Sequence, residues 1–185
     1  PDTMVTANSL GLLLQELGQM RESETLLREV LEQHRRVLGS DHANTLNALN
    51  DLGIVIWRQG RAREAEPLFR ECIERKRRAF GADHESVLPT LSTLALVLRD
   101  GGRFEEAERL LREVGENATK QLGPDNPGTL TTHLNHALSL VDLGRIGDAE
   151  PLMRHVVERR QVVFGADHWL THFSEYILGN CHRNL

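Results

Sequence analysis

His133 and His136 stand three residues apart, which puts both imidazoles on one face of any helix that carries them. At that spacing two histidines can hold a transition metal, with His155 as a candidate third ligand. The simpler reading is two satisfied or partly exposed histidines in a slightly degraded segment, because they take places that are leucine elsewhere in the chain. Asp41-His42, Asp83-His84 and Asp167-His168 form a recurring pair that also suggests ligation. Helices pack about 8–10 Å apart, so loops in successive segments are too distant to share an ion. Each aspartate is instead expected to open a helix, its carboxylate accepting free backbone N–H groups. Cys181-His182 has the types of a nucleophile and its base, yet adjacent residues on a helix point to different sides. Cys72 and Cys181 make no CxxC pair, which argues against zinc or a disulfide framework and fits a reducing compartment. Phosphate-cradling GxxxxGK[ST], HExxH, GxSxG and GxGxxG are all missing. The expectation is therefore no enzyme, no cofactor and no metal; catalysis built on His133, His136 and Cys181 is the weakest of the readings.

Bulk properties narrow the field further. With 185 residues and a hydrophobic fraction of 39%, the chain can bury a continuous core. A net charge of −5 and a pI near 6.0 lack the basic footprint of a nucleic-acid binder. Arg35-Arg36, Arg75-Lys76-Arg77-Arg78 and Arg159-Arg160 are basic clusters, read as complements to helix C-terminal dipoles rather than as a phosphate ridge. No apolar run approaches the roughly 20 residues needed to cross a bilayer, and nothing at the start resembles a signal peptide. A cytoplasmic location without membrane partners is expected, and the Asn117-Ala118-Thr119 sequon is read as chance. Pro1-Asp2-Thr3 already lies inside the pattern described next, so a fragment of a longer array is expected.

That pattern is a 42-residue repeat. Gly60 falls in register with Gly18, Gly102 and Gly144, and Gly81 with Gly39, Gly123 and Gly165, without any insertion. In the second period Leu46, Leu49, Leu52, Gly53 and Ile56 recur at three- and four-residue steps, the mark of an amphipathic helix, here helix A. Gly60 ends it, and a second helix, B, carries Ala65, Leu68, Phe69, Cys72 and Ile73 as far as Gly81. Repeats are expected at residues 3–44, 45–86, 87–128 and 129–170, with 171–185 a partial repeat or terminal helix. Since neither helix can bury its apolar face alone, the fold class is all-α, a right-handed α-solenoid of antiparallel helix hairpins.

Leu49, Leu52, Gly53, Ile56, Ala65, Phe69 and Cys72 match the large–large–small–large and small–large–small spacing of the tetratricopeptide repeat. The 42-residue period, the GRxxEAE turn and the LGxDH loop resemble the kinesin-light-chain subclass, whose helix B is longer than in the 34-residue form. Gly53 and Ala65 are small so that the two helices can approach, and Phe69 is read as filling the gap between repeats. Gly115 replaces Leu31, Ile73 and Val157 in register, so the third repeat is expected to be the softest. Pro67 and Pro151, beyond the first turn of helix B, are expected to bend it.

The resemblance implies a non-catalytic scaffold that binds an extended peptide or protein segment in a concave groove lined by the A helices. Carried over by position, the groove takes Val5, Asn8, Leu12 and Gln15, then Asn47, Asn50, Ile54, Trp57 and Arg58. It continues with Pro89, Ser92, Leu96 and Arg99, then Thr131, Leu134, Leu138 and Val141. The amides of Asn8 and Asn50 suit a peptide backbone, Trp57 an apolar anchor, and Arg58 with Arg99 a carboxylate. The two lysines, Lys76 and Lys120, both fall on B helices, so the lysine carboxylate clamp of chaperone-binding relatives is not met. The alternative is a regulatory sensor array that holds a small ligand or its own chain and controls an attached effector domain.

Overall fold

The computed structural model describes residues 10–11, 13–82 and 84–183, with side chains as far as Cys181, and among these there is no strand. Helical residues 10–11 and 13–16 are followed by eight helices. These are α1 (Met20–Leu38), α2 (Ala43–Arg58), α3 (Ala62–Phe80), α4 (Val87–Asp100), α5 (Phe104–Leu122), α6 (Pro127–Asp142), α7 (Ile146–Phe164) and α8 (Trp169–Arg183). They fall into two units, Pro1–Gly101 and Gly102–Leu185. In the first, α1 packs on α2, α2 on α3 and α3 on α4; in the second, α5 packs on α6, α6 on α7 and α7 on α8.

Small residues set the closeness of the hairpins. A Cβ on Gly53 would lie 2.9 Å from Phe69 Cζ, so α3 seats its largest side chain directly on the glycine of α2. Phe69 thus fills its own hairpin. The same seat recurs 42 residues earlier, where a Cβ on Gly11 would meet Leu27 Cδ2 at 2.9 Å. Long helices stop where glycine takes a left-handed backbone, at Gly39 (φ 89°) and Gly81 (φ 106°), conformations that strain any residue with a Cβ. Both proline-bearing helices, α3 and α7, run on through Pro67 and Pro151 to full length.

Helix entry differs from the expectation. The histidine of each Asp-His pair supplies the acceptor: Nδ1 of His42 and His168 accepts the first-turn N–H of Asn44 and Leu170, and Nδ1 of His84 that of Ser86 in the turn before α4, each at 3.2 Å. Asn126 does the same for Gly128 at 2.8 Å. An imidazole nitrogen offers the acceptor that the orphan N–H of a first turn needs. Asp41 is thereby free to bind Arg75 at 3.0 Å and Asp125 to bind Arg159 at 2.6 Å, while Asp83 lies outside the described residues.

The basic clusters divide: Arg35, Arg36, Arg77 and Arg78 lie in the last turns of their helices, as expected, but Lys76 and Arg160 point inward. Lys76 is buried and donates to Ser86 O at 2.9 Å and Thr90 Oγ1 at 3.0 Å, tying α3 to α4. In register, Arg160 is 1% exposed and donates to Leu170 O, Ser174 Oγ and Thr131 Oγ1, joining α7 to α8 and α6. A solvated dipole complement would not be buried; these cations staple one helix to the start of the next.

Candidate functional site

In the first unit, α2 and α4 bring most of the expected lining together. The Trp57 indole N–H donates to Asp100 Oδ2 at 2.8 Å, so the C-terminal ends of α2 and α4 are held side by side. The ring is half-buried, framed rather than loose. Along α2, Asn47 and Arg58 are exposed while Asn50 and Ile54 are half-buried; on α4, Pro89 is exposed and Ser92, Leu96 and Arg99 are half-buried. The face therefore mixes accessible aliphatic surface at Ile54 and Leu96 with polar groups on both sides. Asn50 Oδ1 is buried and has no hydrogen-bond partner among the described residues, an acceptor left unspent. Asp100 went unremarked in the sequence, although its place one residue beyond Arg99, 42 after Arg58, was visible there.

Other expected members do not line a surface. Gln15 is 5% exposed with its Nε2 unpartnered, and Leu134 is 3% exposed within a core of Ala137, Leu140, Ala149, Met153, Val156 and Cys181. Both are packing residues, because helix A turns these positions inward at their point in the array. Leu138 and Val141 are partly buried and pack against that same core. Thr131 is exposed, but its hydroxyl donates to Pro127 O and accepts from Arg160. Val5 and Asn8 of the expected groove, together with Leu12, lie outside the described residues.

The histidine pair in the second unit resolves into two separate arrangements. His136 Nε2 meets Glu108 Oε1 at 3.0 Å, with the two side chains 14% and 7% exposed. His133 Nε2 meets Thr119 Oγ1 at 3.0 Å, and its ring fills the space over Gly115, where a Cβ would come within 3.1 Å of Cε1 and Nδ1. Gly115 is thus the seat of an imidazole and not a missing core contact. Burial, then the neighbouring His136 and His155, push the His133 ring below its ordinary pKa. Among the described residues no three His, Cys, Asp or Glu groups are placed to hold a metal ion. Cys181 belongs to the core, and burial pushes its thiol up, away from the thiolate a nucleophile requires. Thr119 of the sequon lies in the last turn of α5, its hydroxyl bonded to Gly115 O.

Hairpins of amphipathic helices repeating every 42 residues, with small seats under large side chains, define a helical repeat array whose exposed chemistry is suited to binding. The tetratricopeptide repeat profile matches residues 2–78, 46–120 and 86–161, and the chain belongs to that family. Repeats of this family generally mediate protein–protein interaction. No curated protein sequence matches the chain. Two crystal structures of a kinesin-light-chain-type protein of Podosopora anserina with nearly identical TPR-like repeats, one of them of a point variant, superpose with TM-scores of 0.86 and 0.85 at 23% identity. They cover 99% of this chain and 86% and 87% of theirs. BtubC (BKLC) of P. vanneervenii superposes at 0.84 with 18% identity, over 96% of this chain and 70% of its own. At these identities the likeness is one of fold. No described helix is long and apolar enough to cross a membrane.

Proposed function

We propose that the chain is a non-catalytic binding scaffold and that the face shared by α2 and α4 grips an extended peptide segment. The observation that carries this reading is Trp57: a half-buried indole held by Asp100, on helices that also carry the half-buried aliphatic residues Ile54 and Leu96. The ring and these aliphatic residues are suited to one apolar side chain of the partner. Asn47 and Asn50 offer amides to its backbone, and Arg58 supplies a charge at the rim. Rotation of the Asn50 amide brings its unspent acceptor to a peptide N–H. Affinity then depends on a framed aromatic anchor, the group most often dominant at interfaces. The test is a peptide-library selection against the parent, followed by titration of the hits on variants. Trp57→Ala should cost about 2 kcal/mol or more of binding free energy. Hits that bind Trp57→Ala and Asn50→Ala as tightly as the parent move the site elsewhere.

A further inference from the structure

We propose that Asp100-Gly101, at the end of α4, is a site of spontaneous covalent modification, where Asp100 converts through a cyclic succinimide into isoaspartate, and that the hydrogen bond from Trp57 holds this reaction back. The chemistry is read without any peptide, so it stands or falls apart from the proposed function. Asp100-Gly101 is the single Asp-Gly step of the chain, and Asn-Gly does not occur. Backbone geometry does not ask for a glycine at 101. The residue takes φ −79° and ψ 0°, and Gln59, at the same point after α2, takes φ −79° and ψ 5°. Leu143, again in register, takes φ −83° and ψ 1° after α6. The left-handed residue of the turn is the next one, Gly102 (φ 77°), as Gly60 and Gly144 are in their repeats. What glycine changes at 101 is access to the nitrogen that follows Asp100, since no Cβ stands beside it and both residues are exposed.

The step needs no co-reactant beyond water. The Gly101 amide nitrogen attacks Cγ of the protonated Asp100 carboxyl; the N–Cγ bond forms, a Cγ–O bond breaks, and the hydroxyl leaves with the amide proton as one water. Water then adds to one of the two ring carbonyls. Addition at Cγ restores aspartate. Addition at the original main-chain carbonyl breaks its bond to nitrogen, leaving that carbon as a free carboxylate and the chain running through Cβ and Cγ. In the folded chain two hydrogen bonds oppose ring closure. The Gly101 N–H donates to Val97 O at 3.0 Å, and the Trp57 indole N–H donates to Asp100 Oδ2 at 2.8 Å. Both must open before the carboxyl can turn onto the nitrogen. They lie at a helix end, where opening costs least, and the glycine adds to that freedom. In the product the nitrogen is carried by Cγ and the main chain is one atom longer, which takes the Gly101 N–H off Val97 O and the carboxylate off Trp57.

The chain is incubated at neutral pH and physiological temperature, and samples are digested with an endoproteinase that cuts before aspartate but not before isoaspartate. Cleavage before Asp100 should decline with time while the other aspartates are still cut, and the uncut peptide should keep its mass, with a minor species one water lighter. Trp57→Phe keeps a ring and removes the donor, and should speed the decline at least about tenfold, the worth of one hydrogen bond to a charged group. In urea this variant and the parent should react at one rate. Ile73→Val loosens the buried core of the same unit away from the tether and should leave the folded rate unchanged. Gly101→Gln should stop the reaction without lowering the melting temperature, because Gln59 already occupies that conformation. In a Trp169→Phe background, the isomerised chain should show Trp57 emission at longer wavelength than the unreacted chain. A folded parent that gains no isoaspartate while the urea-unfolded chain does, or equal loss at the other aspartates, overturns the proposal. So do equal folded rates for the parent and Trp57→Phe, an acceleration by Ile73→Val as large as that by Trp57→Phe, or Trp57 emission that isomerisation leaves unmoved.

Discussion

Replacing His136 by leucine tests the packing logic of the second unit, because pattern and structure assign the change opposite signs. By register the position belongs to Leu52 and Leu94, both buried, so leucine looks like a repair worth about 1.5–3 kcal/mol of side-chain burial. The structure places Glu108 against this residue, 3.0 Å from Nε2 and 7% exposed. Leucine strands that carboxylate, and a buried charged group without its partner costs about 3–5 kcal/mol. The net expectation for His136→Leu is a loss of about 1–3 kcal/mol, the difference of the two effects. Glu108→Leu alone should also destabilise, since it leaves the imidazole facing hydrocarbon. Changing both together replaces a polar pair by an apolar one of similar shape, which is close to neutral. Urea unfolding of the parent, both single variants and the double at neutral pH gives the coupling energy, expected at about 1.5–3 kcal/mol. Single effects that add to within about 0.5 kcal/mol refute the reasoning, because they mean that the two groups do not depend on one another.

His133 is held below its unfolded pKa of about 6.5 by burial, so the unfolded chain takes up the proton first. Stability should be full above that value and fall as pH drops beneath it; His34, depressed chiefly by burial, acts in the same sense. Urea midpoints measured across mildly acid to neutral pH should show a smaller loss in His133→Gln, which keeps a partner for Thr119 but does not titrate. Gly115→Ala gains up to about 1 kcal/mol of helix propensity, yet its Cβ would stand 3.1 Å from the His133 ring. It should destabilise the parent and stabilise a His133→Ala background, and calorimetry showing one sign in both backgrounds contradicts the seat. Burial raises the Glu24 carboxyl, but hydrogen bonds from Gln59, Arg28 and Arg61 outweigh it and hold the pKa at about 2. Its contribution is present above the unfolded value of about 4.3 and lost as pH falls from there toward 2, so acid unfolding of Glu24→Gln should be flatter in that range.

The period, the two helices per period and the small seats are local properties, and they are legible in the residues themselves. Gly53 opposite Phe69 and glycine at each long-helix end follow from sterics that no distant contact can change. Which polar groups meet is another matter, because it depends on the rotation of each helix against its neighbour. The Asp-His pairs announced a cap, but only packing assigns the acceptor to the imidazole and sends Asp41, like Asp125 beside Asn126, to an arginine 34 residues on. A run such as Arg75-Lys76-Arg77-Arg78 looks uniformly solvated, and tertiary structure buries Lys76 alone because its position faces the joint with α4. Gln15 and Leu134 stand in register with half-buried residues such as Trp57 and Asn50 and are themselves fully buried, because the packing at each helix decides how far a position turns inward. His133 over Gly115 and His136 on Glu108 look like two faults in a leucine pattern. They become one consistent arrangement when α5 and α6 are brought together, where the loss of a side chain on one helix makes room for the ring on the other.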